Sequence, residues 1–131
     1  MFKAIVLATL ASIALARTPP VLTCATTGVG PARSCEQFIC DFCSGVSQAQ
    51  PVSNGESGGA CYNLPNAGRN CLFSAFNSGN ATGAPDQAAC NVALWTVAGG
   101  CDLGGIGVMD WAPSAFTFSL KPRTGICSMG S

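Results

Sequence analysis

The sequence predicts an α+β fold: a split βαβ-like antiparallel sheet with two helices, stapled by disulfides. Three observations predict it. Segments with strand and helix signals follow one another as β-α-β-β-α-β, the split βαβ order. The 131 residues include nine cysteines. The chain opens with a secretory leader, and cysteines this dense in a short secreted chain imply a bridge framework.

The leader is read from Met1-Phe2-Lys3, a short positive start, and from Ala4 to Ile13, an apolar run broken only by Thr9 and Ser12. Ala14-Leu15-Ala16 then supplies the small-x-small cleavage pattern. The run is shorter than the roughly 20 residues a membrane span needs, and no other segment approaches that length, so no membrane insertion is expected. Residues 1–16 are a signal peptide on this reading, and 17–131 form one secreted, extracellular domain.

Along the mature chain, Val21 to Ala25 follows Pro19-Pro20 as a first strand. Ser34 and Gln37 have the spacing of a capping box, which predicts a helix from Ser34 to about Cys43, stopped at Gly45. Its inward face is Cys35, Phe38, Ile39 and Phe42. A polar loop spans Val46 to Gly59. Ala60 to Leu64 and Cys71 to Phe76 are two strands joined by the turn Pro65-Asn66-Ala67-Gly68. The second is apolar on both faces, as expected of a central strand.

The loop after it carries Asn80-Ala81-Thr82, the one N-glycosylation sequon. Pro85 to Ala98 is the strongest helix, with Asp86 at its start and Gly99-Gly100 at its end. Cys90, Leu94, Val97 and Cys101 share one face, while Ala88, Val92 and Trp95 form an apolar face nearly opposite. A helix buried on one side only lacks such a second face, which points to self-association as a homodimer. Asp102 to Pro113 is a Gly-rich loop, Ala115 to Leu120 a half-buried strand, and Ile126 to Met129 a last strand.

All nine cysteines follow the leader: Cys24, Cys35, Cys40, Cys43, Cys61, Cys71, Cys90, Cys101 and Cys127. Four bridges and one leftover thiol result, with the pairing left open. The leftover cysteine is expected to be buried as a small hydrophobe, the alternative being an intermolecular bridge. Cys40-x-x-Cys43 is read as structural bridge thiols rather than a redox pair or half a zinc site.

Charge narrows the partners. Arg17, Arg33, Arg69, Lys121 and Arg123 oppose Glu36, Asp41, Glu56, Asp86, Asp102 and Asp110, a net charge near −1. No basic stripe exists to hold nucleic acid or an anionic membrane. Chemistry narrows the activities. There is no histidine, which removes Ser-His-Asp and Cys-His catalysis and His-ligated metal. Asp102 and Asp110 come nearest to the paired carboxylates of glycoside hydrolysis, but nothing marks them as a buried pair. No enzyme, cofactor or metal is expected.

A binding surface remains, rich in Gly, Ser, Asn and Thr. Neutral sugars are held by an aromatic or apolar floor with a few placed polar groups. Two stretches combine these: Tyr62-Asn63 with Arg69 and Asn70 across the turn, and Met109-Asp110-Trp111 with the loop from Asp102. For Tyr62 and Trp111 the competing role is core packing. For Trp95 it is core, ligand contact or the self-association face.

Four segments carry a family likeness. Cys35-Glu-Gln-Phe-Ile-Cys40-Asp-Phe-Cys43, Gly59-Ala-Cys-Tyr-Asn-Leu64, Asn70-Cys-Leu-Phe-Ser-Ala-Phe76 and Ala115-Phe-Thr-Phe-Ser119 resemble the small secreted glycan-binding proteins of mushrooms, the Y-three type lectins. The resemblance spans the mature chain. It implies a small α/β sandwich and a lectin without a cofactor. It further implies a ligand of the N-acetylhexosamine type, such as LacdiNAc (GalNAcβ1-4GlcNAc), on the glycoproteins or glycolipids of cell surfaces. A related fold in fungal virally encoded killer toxins gives the alternative, a secreted effector or cytotoxic protein with a protein or membrane target.

Overall fold

The computed structural model describes residues 19–65, 67–109 and 115–128. The leader therefore lies outside the described residues, as do Asp110 and Trp111. The elements are β1 (Val21–Cys24), a 3-10 stretch (Ala32–Phe38), α1 (Ile39–Gln48), β2 (Ser57–Leu64), β3 (Arg69–Asn77), α2 (Gln87–Gly100), β4 (Gly105–Val108) and β5 (Phe116–Thr124). All pairings are antiparallel, in the order β1-β4-β5-β3-β2. The expected class holds: an antiparallel sheet, two α-helices and disulfide staples.

Both helices lie on one face of the sheet. Period-2 alternation turns Phe73, Ala75, Phe118 and Leu120 toward them, and all four are buried. Phe42 of α1 stacks on Phe73 at 5.1 Å. Leu94 and Val97 of α2 and Ile39 of α1 are fully buried in the same layer. Each such side chain contributes roughly 1.5–3 kcal/mol through the area it removes from water. The other face is open to solvent and carries Val21, Ile106 and Phe76, all exposed, with Ser74, Ser119, Lys121 and Arg123.

A fifth strand, β4, occupies what the sequence reads as loop. Gly105-Ile106-Gly107-Val108 alternates with period 2, but its inward positions are glycines, which give no hydrophobic signal. They are inward because nothing larger fits. A Cβ on Gly107 would lie 3.1 Å from the Ala93 carbonyl oxygen of α2, and one on Gly105 would lie 2.5 Å from that of Thr23. Conversely, Ile126 to Ser128 is not a strand. It is held instead by the Cys61–Cys127 disulfide and by Cys127 N–H, which donates to Asn63 Oδ1 at 2.7 Å.

The helices also depart from expectation at their ends. No capping box forms at Ser34. The chain enters 3-10 geometry directly after Pro31, so Ser34 already sits inside a turn. Its hydroxyl donates back to the Pro31 carbonyl at 2.7 Å. The α-helix starts later, at Ile39, and runs through Gly45 to Gln48 because Val46 still belongs to its buried stripe. In α2, Asp86 rather than Pro85 is the junction residue, accepting from Ala89 N–H at 2.9 Å. Cys90, Leu94, Val97 and Cys101 are buried, whereas Ala88, Val92 and Trp95 are exposed.

The bridges are Cys24–Cys101, Cys35–Cys71, Cys43–Cys90 and Cys61–Cys127. They tie β1 to the end of α2, the 3-10 stretch to β3, α1 to α2, and the C-terminal segment to β2. Cys40 is the free thiol and is exposed, contrary to the burial expected. Ile39, Phe42, Cys43 and Val46 make the inward stripe of α1, and Cys40 falls outside it. Within Cys40-x-x-Cys43, only Cys43 is bridged.

Candidate functional site

A cleft opens at the end of the sheet where β3 and β5 pass beyond β4. It encloses about 510 Å³, within the usual range for small-ligand sites, and is lined by Gly28, Val29, Asn70, Lys121, Pro122, Arg123, Thr124, Ile126 and Ser128. Three strips of chain build it. One wall is the Gly28–Val29 backbone, the floor is the end of β5 over Asn70, and the lip is the segment holding Ile126 and Ser128.

The floor follows from register. Lys121 and Arg123 are two apart on β5, so both project from the open face. β4 ends at Gly105 opposite Leu120, which leaves Pro122 without a β4 partner. A strand proline is tolerated where no ladder bond is required of it. Asn70, opposite Arg123 on β3, is 1 % exposed. Its amide donates to the Gly125 carbonyl at 3.0 Å, and its oxygen accepts from Arg123 Nε at 3.2 Å. One buried amide thereby fixes both the guanidinium and the turn into the lip.

The wall is set from behind. Arg69 Nη1 donates to the Gly30 carbonyl at 2.7 Å, and the Asp102 carbonyl accepts from Ala32 N–H at 2.7 Å. Gly30 lies between them; a Cβ there would meet the Asp102 carbonyl oxygen at 2.6 Å. Lys121 Nζ donates to the Thr27 carbonyl at 3.3 Å. At Gly28, φ is 129° and a Cβ would lie 3.5 Å from that ammonium, so glycine lets the chain pass beside it.

Of the residues proposed from sequence, Asn70 thus lines the cleft, Asn63 anchors its lip, and Arg69 and Asp102 brace its wall. Tyr62 does not join them, because neighbouring residues of a strand point to opposite faces. Its ring faces the helices, stacked on Phe38 at 4.9 Å and edge-on to Phe73 at 5.5 Å. Burial, and secondarily the Asp41 carboxylate, raise its phenol above the ordinary tyrosine range. Lys121, Arg123, Thr124 and Ile126 were not among the expected site residues. Their signal is two cations at i, i+2 in a chain with few, followed by an apolar residue in a loop.

A second, smaller recess of about 240 Å³ lies across Lys121 from the first, lined by Thr23, Cys24, Ala25, Gly105, Ile106, Leu120 and Lys121. Elsewhere, an apolar groove of about 240 Å³ runs between α1 and β2, with Phe42, Val46 and Tyr62 on it. The sequon loop is ordered by buried Asn77, whose amide donates to Val52 and Ala81 carbonyls and whose oxygen accepts from Gly79 N–H. Asn80 and Thr82 are exposed on it. Among the described residues, no group of three or more His, Cys, Asp and Glu is placed to hold a metal ion, and no helix is long and apolar enough to cross a membrane.

Residues 34–127 match the family model described as Glycan binding domain Y3. No curated protein matches the chain. The matched stretch covers most of the chain and contains the floor of the cleft and three of the four bridges whole. The chain belongs to the Y3 glycan-binding domain family.

Proposed function

From that membership, we propose that the chain is a secreted lectin for N-acetylhexosamine glycans of the LacdiNAc type on cell surfaces, and that the 510 Å³ cleft is its binding site. The observation that supports this most is the make-up of the cleft. It pairs an exposed apolar side chain, Ile126 at 77 % exposure, with the donors of Lys121, Arg123 and Thr124. Sugars offer the complement, C–H faces beside hydroxyl and acetamido groups. No carboxylate side chain lines the cleft among the described residues. Among the described residues the cleft therefore offers no acid and base for glycoside hydrolysis, which supports a reading of binding without catalysis. Four disulfides in so small a domain agree with an extracellular setting.

The test is calorimetric titration of the secreted protein with LacdiNAc and with single GalNAc and GlcNAc glycosides. Saturable binding is expected. Its absence for every N-acetylhexosamine glycan would overturn the proposal. Self-association belongs to the same reading: Val92 and Trp95, 42 % and 43 % exposed, form an exposed apolar face on α2 with Ala88. Sedimentation should show a dimer that Trp95→Ser weakens; a monomer at high concentration would refute it.

A further inference from the structure

The cleft is more than a polar recess, because its charge has one sign. Lys121 and Arg123 both line it, and no Asp or Glu side chain does among the described residues. This is a concentration of positive charge in a protein with only six Lys and Arg in all. Among the described residues, neither cation is neutralised by the partners it has. Lys121 Nζ meets a carbonyl oxygen, and Arg123 meets the neutral amide of Asn70 and, more distantly, the Cys61 sulfur. Among the described residues, two of the five guanidinium N–H donors are engaged that way, leaving others for a ligand.

Asn70 is buried and holds the guanidinium by its Nε, so that little side-chain entropy remains to be lost when a ligand binds. Lys121 also borders the second recess on the same open face. A glycan lying across both recesses would therefore pass the ammonium between two of its sugar units.

We infer that this site reads a negatively charged substituent on its glycan, a sulfate ester or a sialic acid carboxylate, held between Lys121 and Arg123. The inference rests on the cleft being the glycan site. A charge-assisted hydrogen bond is about twice as strong as a neutral one. Two of them, partly screened at an open site, are expected to favour the charged ligand by at least about tenfold.

The experiment titrates the intact secreted protein with three probes: LacdiNAc, its sulfated form, and an α-sialylated GalNAc glycoside, each at low and at high salt. At low salt, the sulfated or the sialylated probe should bind about tenfold or more tighter than the neutral one. The advantage should shrink at high salt, and Lys121→Gln and Arg123→Lys should each reduce the charged-to-neutral ratio. Which charged probe gains identifies the substituent. Equal affinity for all three probes, or a charged-to-neutral ratio that survives Lys121→Gln unchanged, overturns the inference while leaving the lectin intact. Failure of every probe to bind overturns the lectin reading itself.

Discussion

Removing the Cys61–Cys127 bridge, as Cys61→Ser with Cys127→Ser, should separate stability from binding at the cleft. The bridge closes a separation of 66 residues. In the chain-entropy model, cutting a loop of that length costs about 4 kcal/mol, within about 0.5 kcal/mol of cutting the 36-residue Cys35–Cys71 loop. The two losses differ in what they release. Cys35–Cys71 sits in the core between the 3-10 stretch and β3, whereas Cys61–Cys127 holds the lip that carries Ile126 and Ser128. Hydrogen bonds would still guide the lip, among them Cys127 N–H to Asn63 Oδ1, Gly125 N–H to the Gly68 carbonyl and the Asn70 amide to the Gly125 carbonyl. At about 1 kcal/mol each, they do not replace a covalent tether. Urea unfolding of both double variants, with glycan titration under conditions where each stays folded, provides the assay. Comparable destabilisation is expected, with affinity lost mainly in the Cys61/Cys127 variant. If that variant binds as tightly as the parent, the lip takes no part in recognition and the placement of the site is refuted.

Other outcomes follow from particular contacts. Gly105→Ala puts a methyl group 2.5 Å from the Thr23 carbonyl oxygen and should cost about 1–3 kcal/mol in urea unfolding; a neutral result would mean that β1 and β4 can separate without penalty. Tyr62 is the one tyrosine, and its phenol is raised in the folded state by burial and by Asp41. The unfolded chain therefore ionises first. Stability present below about pH 10 should fall as the pH rises through the folded value, with phenolate absorbance following the same curve and Tyr62→Phe removing that contribution; a phenol titrating as in a free peptide would contradict the burial. Asn80 is exposed on a loop, and material secreted from a eukaryotic host should lose mass on enzymatic deglycosylation, whereas Asn80→Gln should not; identical masses before and after treatment would show the sequon to be unused.

The fold was legible wherever side chains carry the signal. Phe116, Phe118 and Leu120 announce β5 by alternation, and Leu94 with Val97 announces the buried face of α2. β4 was hidden because close packing against α2 and β1 demands glycine at its inward positions, and glycine is also what a loop uses. Ser34 misled because a capping box and a hydroxyl bonded back inside a 3-10 turn need the same residue. The site was legible in part. Asn70, Asn63, Arg69 and Asp102 converge on one end of the sheet, but as the frame of the cleft more than its surface. Lys121 and Arg123 carry no such signal in the sequence, because their meaning depends on β4 stopping short of them and on the distant Gly28–Val29 wall. No local pattern encodes either fact.

The placement of recognition at this end of the sheet is tested most directly by a crystal structure of the protein bound to a LacdiNAc disaccharide. The sugar should lie between Gly28–Val29 and Lys121–Thr124, touching Ile126. Density in the groove beside Tyr62, or against Trp95, with the cleft left to solvent, would contradict it.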